Sequence, residues 1–233
     1  MLDADLEPYP WIPSRAKLEE WADEPVGTVL GCAAWGCVFQ LADSRVLKIT
    51  SDEDEVAAVE AIEEARAVDA ALPGIMHVFE PPDILGKLPK SYWTRGPSGA
   101  LTKTTIYAYV REEVVPLPDD FEPEQRYRRG KSPYEYEKSA LGIVTDVADD
   151  IMRGKGKLSA LRDEYLKWVD VASHEYPFQA VALSLGRLAM DFGVYLYDVD
   201  TNNIGLTAAG TPALFDFMLA RPPKKKSKSK GGA

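Results

Sequence analysis

Cysteine and histidine are nearly missing from this chain, with two of each among 233 residues. Cys32 and Cys37 sit five apart in what reads as a glycine-rich turn, and no second cysteine pair accompanies them, so a structural zinc site is not expected. No apolar run approaches the roughly 20 residues that span a bilayer. The first residues, Met1 to Glu7, are acidic and have no apolar signal core, so the expectation is a reducing, cytoplasmic setting rather than secretion. No internal repeat is visible. Positive charge is also scarce, at 27 Lys and Arg against 37 Asp and Glu. Six of those 27, Arg221, Lys224, Lys225, Lys226, Lys228 and Lys230, crowd into residues 221–233, which leaves 21 basic residues against 37 acidic ones in the body. So acidic a body argues against nucleic acid as the main substrate, because phosphate binding needs positive potential. The lysine-rich end reads as a disordered, solubilising tail, with contact to an acidic partner or RNA as the alternative.

What is present is enough apolar residue, 45%, to bury one sizeable core or two small lobes sharing a cleft. Prolines 8, 10 and 13 and Trp11 open the chain, and a short helix from Ser14 to Ala22 follows. Gly27–Leu30, Cys37–Leu41 and Arg45–Thr50 read as three strands joined by short turns, an antiparallel meander. Ser51-Asp52-Glu53-Asp54 has a capping-box arrangement that starts a helix running to about Ala71, stopped by Pro73-Gly74. Ile75–Phe79 is expected as the next strand, and Tyr92–Thr94 is expected to pair with Thr104–Val110. A polar, proline-studded connector from Pro116 to Lys131 separates this part from three helical stretches, Tyr134–Arg153, Lys157–Ala172 and Pro177–Phe192. Ile204–Leu206 and Pro212–Phe217 close the pattern as a small hairpin.

Five features could carry chemistry. Gly31-Cys32-Ala33-Ala34-Trp35-Gly36-Cys37-Val38 is a turn without large side chains at Gly31, Ala33 and Gly36, as close approach of backbone N–H groups to phosphate requires. Lys48 alternates with the apolar Leu47 and Ile49 and so faces the other side of its strand. The acid-rich helix that follows offers partners for that lysine. Its spacing to the expected strand at Ile75 favours Glu63 or Glu64 as inward-facing, and Glu64, then Glu60, is the expected choice. Tyr107–Val114 is a strand whose end places Glu112 and Val114 by position alone. Last, Asp198 precedes Asn203 by five residues, and Asp216 ends the next apolar run.

In this order the features resemble the protein-kinase-like superfamily, which includes small bacterial and phage kinases and the aminoglycoside phosphotransferases, over roughly residues 27–218. The family's glycine-rich loop matches at Gly31, Gly36 and Val38, with Ala33 in place of its middle glycine. Its His-Arg-Asp, four residues, Asn, then Asp-Phe-Gly pattern matches at Asp198, Asn203 and Asp216, with Leu196, Tyr197 and Met218 as departures. Asp191-Phe192-Gly193 spells the triplet but precedes Asp198 at a helix end and is read as a decoy.

The resemblance implies an α+β bilobal fold, divided as an N-terminal extension (1–26), a β-rich N-lobe with one helix (27–115), a reduced helical C-lobe with a hairpin (116–220) and the tail (221–233). It implies ATP and Mg²⁺: Gly31, Ala33, Gly36, Val38 and Lys48 would hold the phosphates, and Glu112 and Val114 would line the adenine site. Asp198 would act as base, and Asn203 and Asp216 as metal ligands. Only seventeen residues follow Asp216, so neither a peptide-docking platform nor a phosphorylated activation segment is expected. Asp200 stands where Ser/Thr kinases usually place a lysine. The expected activity is phosphoryl transfer to a protein Ser/Thr hydroxyl. A pseudokinase-like nucleotide or protein-binding module is the alternative, and an unrelated α+β fold the third.

Overall fold

The computed structural model describes residues 11–223 apart from 33–34, 69–70, 88–93, 96–100, 103–104, 119–120, 122–124 and 130–135. Helix α1 (Arg15–Ala22) is followed by the meander β1 (Val29–Cys32), β2 (Gly36–Gln40) and β3 (Arg45–Thr50). The turn between β2 and β3 holds Asp43 and Ser44 in left-handed backbone, φ 56° at each, the conformation that matches the twist of a tight hairpin. Helix α2 (Glu53–Ala67) begins at Asp52, whose side chain accepts from the N–H groups of Asp54 and Glu55.

Two further strands complete this sheet, β4 (Val78–Lys87) and β7 (Thr105–Glu112), in the order β1-β2-β3-β7-β4. The short strands β5 (Thr94–Arg95) and β6 (Leu101–Thr102) pair with each other, so the expected pairing of Thr94 with 105–110 does not form, and Tyr92, Trp93 and Thr104 lie outside the described residues. β7 instead lies between β3 and β4, and most of its residues are buried on both faces. Pro81 and Pro82 fall at a register shift of β4, an edge strand, where a missing N–H is tolerated.

After β8 (Val114–Pro116) come three helices, α3 (Ala140–Arg153), α4 (Leu158–Ala172) and α5 (Gln179–Phe192). They match the three expected helical stretches, though α3 starts later than Tyr134. α3 and α5 both end on glycines with left-handed backbone, Gly154 and Gly193. Strand β9 (Leu196–Tyr197), a single 3₁₀ turn (Thr201–Asn203), β10 (Ile204–Thr207), β11 (Pro212–Leu214) and β12 (Met218–Leu219) follow. β10 pairs with both β11 and β8, and β12 pairs with β9.

The sheet separates two apolar clusters. Phe39, Leu47, Ile49, Ala108 and Val110 pack with Trp11, Leu18 and Val26 on the α1 side. The other cluster runs without a break from Ala58, Val59 and Ile62 of α2 through α3, α4 and α5 to Leu196, Leu214 and Phe217. Among the described residues, no helix is long and apolar enough to cross a membrane.

Candidate active site

Strand alternation places a polar set on the sheet face opposite α1. Lys48 lies directly across from Val38 on β2 and from Tyr109 on β7, and Val46 lies across from Arg111. Lys48 is 7% exposed. An ammonium this deep requires a counter-charge. It has two: its Nζ is 3.5 Å from Glu55 Oε1 and 3.5 Å from Asp216 Oδ2.

The α2 partner is therefore Glu55, not Glu64 or Glu60, both of which are exposed. The buried positions of α2 are Glu55, Val56, Ala58, Val59, Ile62 and Ala65, a one-face spacing that includes Glu55 and leaves out the other two. Glu63 is turned away as well, paired with Arg66 at 2.6 Å. The Glu55 carboxylate is fully committed. Oε1 accepts from the Tyr109 hydroxyl at 2.6 Å and Oε2 from Thr50 Oγ1 at 2.7 Å. Burial, and then the negative charge of Glu55, push the Tyr109 phenol well above its usual range, so it stays a donor.

The second half of the site is a closed loop. β9 delivers the chain to Asp198, and β12 takes it up two residues after Asp216, with Met218 paired to Tyr197. Met218 is thus a ladder residue, a place where glycine would be weak. Asp198 has left-handed backbone, φ 63°, one of the few conformations in which Asp is tolerated ahead of most residues. Asn203 holds that turn: its Nδ2 donates to the Asp198 carbonyl at 2.8 Å. Its own carbonyl accepts from Phe215 N at 2.9 Å, which ties it to the strand leading into Asp216. Thr145 Oγ1 of α3 accepts from Val199 N at 2.9 Å, and the buried Tyr165 hydroxyl bonds both the N–H and the carbonyl of Leu196. These bonds support the turn where the His and Arg of the family pattern are missing.

Desolvation raises the Asp198 carboxyl above the ordinary range, and the nearby Asp200 and Asp216 charges push it the same way, against a hydrogen bond from Asn203. Among the described residues no group of three or more His, Cys, Asp or Glu is arranged to hold a metal ion, but Asn203 and Asp216 carry hard oxygens of the kind Mg²⁺ takes. The Asp216 side chain is 40% exposed. One carboxylate and one amide suit an ion that draws its remaining oxygens from phosphate and water. Asp191 of the decoy triplet lies exposed at the end of α5, 3.6 Å from Arg187.

A cavity of about 350 Å³ opens on the same sheet face, lined in part by Val38, the residue across from Lys48. Gly31 and Val38 of the hairpin form one side, and Val46, Val114 and Phe215 line the rest together with Arg111 and Glu113. Of the expected hairpin residues, Gly31 and Val38 line the cavity. Gly36 is enclosed, since a Cβ there would lie 2.6 Å from the Ile49 carbonyl oxygen. Ala33 falls outside the described residues. Val114 lines the cavity, whereas Glu112 contributes its backbone: its N–H donates to the His77 carbonyl and its own carbonyl accepts from Arg111. Cys32 and Cys37, opposite each other on β1 and β2, are joined as a disulfide, which differs from the reducing setting expected for two isolated thiols.

Glu55, Tyr109, Thr145, Tyr165 and Arg111 are the site residues that motif spacing did not reveal. No protein-family model matches the chain, and no curated protein does. Among solved structures it is similar to an aminoglycoside phosphotransferase from Alicyclobacillus acidocaldarius, with 13% identity and a TM-score of 0.32. That alignment covers 84% of this chain and 64% of the other, so this chain spans less than two thirds of that one's length. The likeness is distant, and the functional reading rests on the side-chain geometry of the chain itself.

Proposed function

We propose that this chain is a kinase-like phosphotransferase that moves the terminal phosphoryl group of a nucleoside triphosphate to a hydroxyl, with a protein Ser or Thr as acceptor. One observation carries the reading: a buried lysine held between a helix carboxylate, Glu55, and the loop carboxylate Asp216, 3.5 Å from each. This arrangement fixes an ammonium on the sheet face that also carries the cavity, where it would bind phosphate oxygens. Asn203 and Asp216 would hold Mg²⁺, which when bound neutralises phosphate charge. Asp198 would accept the acceptor's proton while the hydroxyl oxygen bonds to phosphorus and the bridging oxygen leaves with the nucleoside diphosphate. The acidic neighbours that raise the Asp198 carboxyl also raise its basicity, which suits it to that proton.

The test is incubation with γ-labelled nucleoside triphosphate, Mg²⁺ and candidate protein acceptors. Wild-type protein should transfer label to an acceptor or to itself. Asp198→Ala should lose transfer and still be stabilised by nucleotide in a thermal-shift titration, since ligand binding to the native state raises its stability by mass action. Normal transfer by Asp198→Ala would remove that residue from its role. Binding without any transfer in the wild type would favour the pseudokinase-like module.

A further inference from the structure

Arg111 is left over from the account above. It is 3% exposed, lies across from Val46 on the cavity face of the sheet, and lines the cavity. Its Nη1 donates to the Glu112 carbonyl at 3.0 Å, while its buried Nε has no partner among the described residues. The guanidinium carbon is 5.6 Å from the centroid of the Phe215 ring, another cavity residue. Guanidinium is only ever a donor, and an unspent buried N–H is costly. An occupant presenting acceptors would satisfy it. The second polar wall residue is Glu113, an acceptor only when ionised, and half-buried beside the same cavity.

We propose that this cavity selects a purine with a carbonyl at C6, that is, a guanine rather than an adenine nucleotide, and that Arg111 is the residue that makes the choice. The proposal rests on the nucleotide-site reading above and names the substrate class of that site. Guanine offers O6 and N7 side by side as acceptors, the pair that an arginine edge fits, and carries donors on N1 and N2 that a carboxylate such as Glu113 accepts. Adenine puts an N6 amino donor where O6 would be, donor against donor. Reading the base requires Arg111 to turn its Nε, enclosed in this structure, toward the cavity that the residue lines.

The experiment is calorimetric or thermal-shift titration of the full chain with the Mg²⁺ complexes of GTP, ITP and ATP. GTP and ITP should bind about tenfold or more tightly than ATP, the scale of one good bidentate arginine contact. ITP has the C6 carbonyl without the 2-amino group. If ITP falls to the level of ATP, Arg111 is not the reader and the proposal is overturned. ATP binding as tightly as GTP overturns it too, while leaving the phosphotransferase reading in place. If none of the three binds, the nucleotide site itself is refuted and this inference falls with it. Arg111→Gln, whose amide can donate or accept, should bring GTP and ATP within about twofold of each other. A folded variant that keeps the wild-type preference would also overturn the proposal, and if the variant does not fold, the wild-type comparison of ITP with ATP still decides.

Discussion

Glu55 is the single residue on which most of the site's polar order depends. Replacing it with alanine leaves the buried Lys48 ammonium with Asp216 alone as counter-charge and the Tyr109 and Thr50 hydroxyls without their acceptor. Removing one partner of a buried pair costs about 3–5 kcal/mol. Denaturant unfolding should show a loss of that order for Glu55→Ala, while Glu60→Ala and Glu64→Ala, on the exposed face, should stay within about 0.5 kcal/mol of wild type. The sequence carried this answer in its periodicity, since Glu55 lies in the stripe of Ala58, Val59 and Ile62. Counting back from an expected strand at Ile75 pointed elsewhere. α2 stops at Ala67 and β4 starts only at Val78, so the reference point was displaced by three residues at one end and four at the other. The spacing of Lys48, Asp198, Asn203 and Asp216 is readable from the sequence, and the fold brings Lys48 to Asp216 and Asn203 to Asp198; their further partners come from non-local packing and are not readable there. Glu175 shows a different residue-scale effect. It is 7% exposed, and among the described residues neither carboxylate oxygen has a close hydrogen-bond partner; burial pushes its carboxyl up, against weaker donation from the Tyr127 hydroxyl and the Ala140 N–H. A carboxyl whose folded value lies above its unfolded value of about 4.3 carries no penalty below that pH, and the penalty grows as pH rises towards the folded value. Stability from this site is therefore greatest in acid and declines toward neutrality. Glu175→Gln should remove that decline and raise the melting temperature at pH 7 by a few degrees, a gain of about 1 kcal/mol. A pH series of melts on both proteins checks the sign.

At the scale of elements, the glycine-rich hairpin divides into two kinds of glycine. A Cβ at Gly31 would meet nothing within 4 Å, whereas at Gly36 it would press on the Ile49 carbonyl oxygen at 2.6 Å. Gly31 keeps the cavity side open; Gly36 lets β2 and β3 approach. Gly31→Ala should leave stability within about 0.5 kcal/mol, and Gly36→Ala should cost about 1–3 kcal/mol through forced backbone shifts. Paired chemical denaturation curves separate them. Gly74 was legible only as a helix stop. In the fold it abuts the start of α5, where a Cβ would lie 2.1 Å from Val181 N, and its N–H donates to Ser184 Oγ at 3.2 Å. The meander and the three long helices could be read from periodicity and turns. The position of β7 could not, because its neighbours β3 and β4 are distant in sequence and local pairing with 92–94 looked cheaper.

Across the whole molecule, the acidic body and basic end are separable. Arg221 lies 3.8 Å from Asp54 with both side chains more than half exposed, a contact that adds little to stability. Deleting residues 222–233 should therefore change neither the melting temperature nor the stabilisation by nucleotide; a drop in either would show that the lysines do more than keep the chain in solution. The β9–β12 ladder has a consequence for synthesis. A nascent chain that has emerged as far as Phe217 already contains Lys48, Glu55, Asp198, Asn203 and Asp216, yet Leu196 and Tyr197 still have no strand to pair with. The ladder that brackets the stretch from Asp198 to Asp216 can close only once Met218 and Leu219 exist, so a chain halted at Phe217 would hold these side chains without the strand pair that frames them.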